Sequence, residues 1–350
     1  MPSTSSPPAL TRRSFAVGLV SATLGVPAVA TQAAVTDGAG RRVTVPRKVE
    51  RVFPAGPPAA IQVYTLAPET LLGWPRANRP EEREFLLPGV GERPELGRIA
   101  GRGGTANVEA VIAARPDLIV DAGSTRATFV ELADRVQGQT GIPYALLDGR
   151  FAAIPDSYAV LGALAGREAR AAELAEAARD TMRTVVSRVA RVPMAERPRV
   201  YYARGPQGLE TGLRGSINVE ILDFMGVRNV AAEAEGGLAN VSIEQVLRSD
   251  PEVEVTLDRE YAERVRDDPL WRPVRAVREG RVHLAPKLPF GWIDFPPGVN
   301  RLAGLWWLGK VVFPALFPED LKPITVEFYR RWYHVQLTDA QVERVLAGRG

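Results

Sequence analysis

A fourteen-residue element occurs twice along the chain, and this repeat restricts the possible folds more than any other feature of the sequence. Asn107-Val108-Glu109-Ala110-Val111-Ile112-Ala113-Ala114-Arg115-Pro116-Asp117-Leu118-Ile119-Val120 aligns without gaps to Ser242-Ile243-Glu244-Gln245-Val246-Leu247-Arg248-Ser249-Asp250-Pro251-Glu252-Val253-Glu254-Val255. Each copy reads as a capping residue, a glutamate in the first helical turn, a two-turn helix, a proline beside an acid, and a strand. The offset of 135 residues between Glu109 and Glu244 is the spacing of domains and not the shorter period of a solenoid. Two α/β units of similar build are therefore expected. A carboxylate in the first turn favours a helix by about 0.3–1 kcal/mol, which accounts for either glutamate taken singly. Two equivalent acids on two equivalent units would also make a symmetric docking pair for a dimeric partner with basic pockets.

The remaining pattern is of the same kind. Short apolar stretches at Val49 to Phe53, Leu118 to Val120, Tyr144 to Leu147, Arg199 to Tyr202, Val253 to Leu257 and Arg281 to Leu284 alternate with helix-length segments. That order predicts mostly parallel sheets flanked by helices, with ligands bound by the loops that follow the strands. From Ile154 to Arg191 apolar residues recur at Leu161, Leu164, Leu174, Ala178, Met182 and Val185, which is helical spacing. Gly166 divides this stretch. The second piece, Glu168 to Arg191, ends before Pro193 and would be about 36 Å long, enough to cross between domains. Further helices are expected over Ser216 to Met225 and Val299 to Leu316, and Thr338 with Gln341 forms a capping box for the last one.

Compartment is read from the N-terminus. Arg12-Arg13 precedes an apolar run from Ala16 to Val29, and Ala28-Val29-Ala30 supplies small residues for cleavage, the pattern of a twin-arginine export signal. The run is too short to span a bilayer and is interrupted by Gly18, Gly25 and Pro27. Loss of residues 1–30 removes two arginines and no acid, lowering the net charge from +3 to +1. With no block of like charge, nucleic acid is not an expected partner. The chain has no cysteine and only two histidines, His283 and His334. Disulfides, thiolate sites, a lipidated cysteine and a multi-histidine zinc site are excluded by count, so a freely diffusing product without cofactor or bound metal of its own is expected.

In the order and spacing of several segments the sequence resembles the helical-backbone class of periplasmic binding proteins, which serve importers of ferric siderophores, haem and cobalamin. The likeness rests on Val43-Thr44-Val45-Pro46, Arg51-Val52-Phe53, the two repeat elements, Gly141-Ile142-Pro143 and Leu161-Gly162-Ala163-Leu164-Ala165-Gly166-Arg167-Glu168. The N-terminal pattern assigns a signal and cleavage region to 1–34, and the resemblance implies an N-terminal α/β lobe over 35–165, a rigid connecting helix over 166–192 and a C-terminal α/β lobe over 193–350. It also implies a monomer that holds its ligand in a shallow cleft between the lobes and docks on an ATP-binding-cassette permease dimer in the inner membrane through Glu109 and Glu244.

Pro57, Arg102, Gly103, Thr105, Ser124, Arg126, Arg204, Arg214 and Trp292 are the expected ligand-binding residues. Glycines let backbone N–H groups approach a ligand, and guanidinium forks suit carboxylates and oxyanions. A ferric siderophore-like chelate, which brings its own metal ligands, is the first expected cargo, and molybdate or tungstate is the alternative. An exported hydrolase is a more distant reading, since the sequence contains no Gly-x-Ser-x-Gly elbow, His-Glu-x-x-His or Walker loop. His283 and His334, each without a second imidazole nearby in sequence, are expected to be structural.

Overall fold

Strand β1 (Ala33–Thr36) pairs antiparallel with β2 (Arg42–Val45), and its first two residues fall within the span 1–34 assigned to signal and cleavage region. This computed structural model describes residues 33–100 and 107–349. The twin-arginine segment lies outside the described residues, as do Arg102, Gly103 and Thr105. Strand β3 (Val52–Pro54) leads into α1 (Pro57–Leu66), and α2 (Pro80–Arg83) follows. Helix α3 (Val108–Ala114), β4 (Leu118–Gly123), α4 (Ala127–Thr140) and β5 (Tyr144–Asp148) complete a three-stranded parallel sheet in the order β3-β4-β5.

Helices α5 (Ile154–Ala165) and α6 (Glu168–Val189) come next, broken at Gly166, which adopts the left-handed conformation at the end of α5. Helix α6 is about 33 Å long. It buries Ala171, Leu174, Ala175, Ala178, Met182, Val185 and Val189 along one stripe, as the sequence periodicity requires.

In the second half the chain runs through β6 (Arg199–Ala203), β7 (Glu210–Gly212), α7 (Glu220–Phe224), β8 (Arg228–Asn229) and β9 (Leu238–Asn240). It continues through α8 (Ile243–Ser249), β10 (Val253–Thr256), α9 (Arg259–Arg264), α10 (Arg275–Arg278) and β11 (Val282–Leu284). Strands β11-β10-β6-β8 form a parallel sheet, and β7-β9 a small antiparallel ribbon. Helices α11 (Arg301–Val312), α12 (Leu321–Phe328) and α13 (Asp339–Leu346) end the chain. No helix among the described residues is long and apolar enough to cross a membrane.

The repeat is visible in backbone detail. Asn107 accepts a hydrogen bond from the Ala110 N–H and Ser242 one from the Gln245 N–H, each capping its helix. Arg115 and Asp250, 135 residues apart, both end their helix in the left-handed region, at φ 47° and 43°. Asp117 accepts from the N–H groups of Glu50 and Arg51, and its counterpart Glu252 accepts from that of Arg199. These carboxylates take the amides that enter β3 and β6, which is why β3 starts at Val52 and not at the expected Val49.

One face of each sheet joins a shared core. Val52, Val120 and Leu147 from the first and Val200, Tyr202 and Val255 from the second belong to one continuous apolar cluster with α6 and α11. The opposite faces are covered locally: Phe53, Ile119 and Leu146 pack with Val111 and Val136, and Tyr201 packs with Val246, Tyr261 and Trp271. The last helices do not stay on the second sheet. Tyr64 of α1 donates to the Tyr333 carbonyl, Arg344 pairs with Glu84 at 2.7 Å, and Gln341 donates to the Glu84 carbonyl.

Two helices are shorter than the periodicity suggests. Helix α11 ends before Pro314, which cannot continue it. The segment from Ser216 to Val219 forms a hydrogen-bonded turn in place of the first turns of α7, and the Ile217 carbonyl accepts from Arg301.

Candidate ligand-binding cleft

The turns that follow β3 and β5 face the segment from Pro297 to Arg301. Pro57 and Pro58 occupy the first turn of α1, where a missing N–H costs nothing. Beyond β5, Asp148 holds the Arg150 guanidinium at 2.9 Å and Gly149 donates to the Gly123 carbonyl. Burial pushes the Asp148 carboxyl up, but the hydrogen bonds and charge of Arg150 outweigh it and leave the group below its ordinary value. A narrow cavity with about 20 Å³ of free space lies between the two sides. Pro58, Gln62, Asp148, Gly149, Ser157 and Tyr158 line it from the first lobe, and Pro297, Gly298, Val299 and Arg301 close it from the other.

Arg301 heads α11 and is fully buried. It donates from Nε to the Gly298 carbonyl, from Nη1 to the Ile217 carbonyl at 3.0 Å and Glu220 Oε2 at 3.2 Å, and from Nη2 to the Gly149 carbonyl at 3.3 Å. Its guanidinium lies 5.0 Å from the centre of the Phe151 ring. Glu220 Oε2 also accepts the Phe151 N–H at 2.7 Å. One ion pair, with a buried arginine and a partly exposed glutamate, therefore bridges both lobes on the pocket wall. Burial draws the guanidinium below its ordinary pKa and Glu220 opposes that shift; the group remains charged. Removing Glu220 would leave the buried guanidinium without its carboxylate, a loss that costs at most about 3–5 kcal/mol.

The structure disperses several of the residues expected to bind ligand. Ser124 Oγ accepts from the backbone N–H and Nε of Arg126, so these two form a local turn at the start of α4, with Arg126 exposed. Arg204, at the end of β6, is buried and already neutralised: Nη1 donates to Glu210 at 2.6 Å and Nε lies 3.2 Å from Asp294. Burial raises the Asp294 carboxyl above its ordinary value against the pull of Arg204. Arg214 is exposed beside Glu235 at 3.6 Å and does not line the pocket.

Trp292, expected to wall the cleft, is 1% exposed and sits in the core, because Gly304 has no side chain and lets α11 close onto the Trp292 carbonyl. The exposed aromatic of this segment is instead Phe295, 49% accessible and stacked 4.5 Å above the Arg204 guanidinium.

Sequence reasoning missed Asp148, Glu220, Asp294 and Arg301. Only Arg301 carried a signal: an arginine opening an otherwise apolar helix has no reason to be there unless it finds buried partners.

Glu109 and Glu244 are both exposed on the first turns of α3 and α8. A hydrogen bond from Ser242 holds the Glu244 carboxyl below its ordinary value. Among the described residues no three His, Cys, Asp or Glu side chains cluster as a metal site. His334 Nε2 faces the carbonyls of Thr65, at 3.1 Å, and Tyr64, so it carries a proton and ties the last helices to α1.

The profile of the periplasmic binding proteins matches residues 97–288, more than half of the chain. The molybdate-binding protein MolA of Haemophilus influenzae is 28% identical over 164 residues, an alignment covering 46% of each protein. The cobalamin-binding protein of Halobacterium salinarum is 28% identical over 226 residues, which span 63% of this chain and 57% of that protein. The chain thus spans about half the length of these curated relatives. Among solved structures, an ABC transporter solute binding protein from Sulfurospirillum deleyianum superposes with a TM-score of 0.81 at 26% identity, covering 89% of this chain and 98% of that one. MolA of H. influenzae bound to molybdate superposes with a TM-score of 0.73 at 20% identity over 87% of this chain and 99% of that one.

Proposed function

The chain belongs to the periplasmic binding protein family, and from that premise we propose that it captures a compact oxyanion and hands it to the permease of an ATP-binding-cassette importer. The observation that carries this reading is the pocket itself. Its free space is only about 20 Å³ and its wall holds a buried guanidinium fixed by protein acceptors, so the two sides must part to admit any cargo and part least for a compact anion. A tetrahedral oxyanion matches that charge and needs far less opening than a corrinoid. The likeness to a molybdate-binding protein supports the same class of cargo.

Titration calorimetry of the purified protein with molybdate, tungstate, sulfate, a ferric hydroxamate and cobalamin tests the assignment. Saturable heat with molybdate or tungstate is expected. Saturable heat only with a chelate overturns it. A ferric chelate is the second reading, favoured by the exposed Phe295 on the Arg204 guanidinium, an apolar rim that suits the organic shell of a bulky ligand.

Glu109 and Glu244 dock the loaded protein on the permease in this reading, one acid from each repeat. Because both are solvent-exposed and lie outside the pocket lining, replacing either by alanine is expected to leave cargo affinity unchanged. Uptake by cells should fall about tenfold, equivalent to ~1.4 kcal/mol of docking energy. Parallel uptake and calorimetry check this, and equal loss in both measurements removes the docking role. Export by the twin-arginine route and life as a free monomer belong to the same reading. Its support is the Arg12-Arg13 segment and the absence of cysteine.

A further inference from the structure

Helix α6 is tied to the C-terminal helices at both of its ends. Arg170 donates to the Arg331 carbonyl, and Arg188 donates to the Leu316 carbonyl and to Glu319 Oε2, each at 2.9 Å. Between these ties the helices do not fill the space they enclose. Ala177 and Thr181, one turn apart on α6, and Ala303 of α11 are too short to close a cavity that holds about 350 Å³ of free space. That volume falls within the roughly 300–1,000 Å³ of small-molecule sites. The cavity shares no lining residue with the one between the lobes.

Most of its wall is apolar and aromatic. Leu302, Phe328 and Trp332 are buried, Trp306 is partly buried, and the Phe328 and Trp332 rings stack with centres 6.0 Å apart. The polar part is Glu327 with Arg331, which sits in the wide π-helical turn Tyr329–Tyr333 that continues α12. Charge there is unbalanced. Glu327 accepts from Arg330 Nε and Nη2 at 2.8 Å and from Arg331 Nε at 3.0 Å, so two guanidiniums share one carboxylate. The hydrogen bond from Arg330 outweighs burial and holds the Glu327 carboxyl below its ordinary value, which leaves the trio with an excess positive charge. Arg331 is partly exposed, and its Nη1 donates to none of the described residues.

We propose that this cavity is a second binding site, separate from the cleft between the lobes, for a small aromatic carboxylate or sulfonate. The ring of the ligand lies against Trp306, Phe328 and Trp332, and Arg331 meets its anionic group. Ring contacts and apolar burial supply the affinity. The guanidinium selects for charge, since a neutral molecule of the same shape gains no charge-assisted hydrogen bond. A cation is disfavoured because Glu327 is already committed to two arginines. The site does not depend on which cargo the cleft holds.

Calorimetric titration of 1-naphthoate and of uncharged 1-naphthalenemethanol into the purified protein at pH 7 tests the site. Saturable one-to-one binding of naphthoate is expected, with the alcohol about fivefold weaker, the scale of an ion pair still partly in water. Arg331→Met should bring naphthoate down to the level of the alcohol and leave the alcohol itself unchanged. Thr181→Trp fills the cavity from α6 and should weaken both ligands by about tenfold or more. Circular dichroism checks folding, and Ala177→Leu, a smaller filler on the same wall, takes the place of Thr181→Trp if that variant does not fold. Absence of saturable naphthoate binding, equal affinity for acid and alcohol, or undiminished binding in the folded filled variant each overturns the proposal. So does a wild-type dimer in sedimentation equilibrium that the filled variant dissociates, since a second copy of the chain would then occupy the cavity.

Discussion

Gly304→Ala is expected to destabilise the protein by at least about 3 kcal/mol, a loss of the kind that overpacking gives at its upper end. A Cβ at position 304 would lie 1.8 Å from the Trp292 carbonyl oxygen and 2.9 Å from Ile221 Cδ1. The first of these is backbone and cannot swing away, so α11 must retreat from the segment it seals. Helix propensity alone gives the opposite sign, since alanine is favoured over glycine by about 1 kcal/mol in a helix interior. Gly138 on the exposed side of α4 is the control: nothing lies within 4 Å of a Cβ there, and Gly138→Ala should raise stability by roughly 0.5–1 kcal/mol. Urea unfolding of both variants measures the contrast. A Gly304→Ala protein as stable as wild type would show that the contact between α11 and Trp292 is not tight.

The second large effect is a pH dependence centred on Glu254. This side chain, in the middle strand β10, is fully buried; Tyr261 donates to Oε2 at 2.6 Å and Oε1 has no partner. Burial pushes its carboxyl up to about 7 from 4.5, with the Tyr261 hydrogen bond opposing. The folded protein then binds a proton more tightly than the unfolded chain. Stability from this group is intact below about pH 4.5 and is lost as pH rises through 7, by roughly 3 kcal/mol in all. Glu254→Gln removes the titration. Its stability relative to wild type should climb by that amount between pH 4 and pH 8.5, even if the amide, lacking an acceptor, costs about 1–3 kcal/mol at every pH. Asp121, raised by burial to about 6, contributes a slope of the same sign in both proteins and cancels from the difference. Parallel unfolding curves across that range would place Glu254 in contact with water.

How much of this was legible in the sequence divides along a physical line. Local signals were: the caps at Asn107, Ser242 and Thr338, the strand after each proline, and the stripe of α6 follow from hydrogen-bond chemistry and periodicity within a few residues. Pairings across long sequence distances were not. Nothing near Glu220 announces Arg301, and nothing near Trp292 announces that Gly304, twelve residues on, will bury it. Arg204 illustrates the ambiguity well. An arginine beside a glycine reads the same whether it awaits a ligand or is held by a carboxylate such as Asp294, because the distinction lies in a partner 90 residues away.

The return of the last helices to α1 has a consequence for biogenesis. Tyr64 and Phe85 find partners in Tyr333 and Tyr329, and the first of these pairs is separated by 269 residues. The first lobe cannot be finished until residues 329–333 have been made, however complete its own sheet, so its last folding step is a long-range closure. Chains truncated by even a few dozen residues would expose the aromatic seam of their opposite end and present it to chaperones and proteases as unfinished.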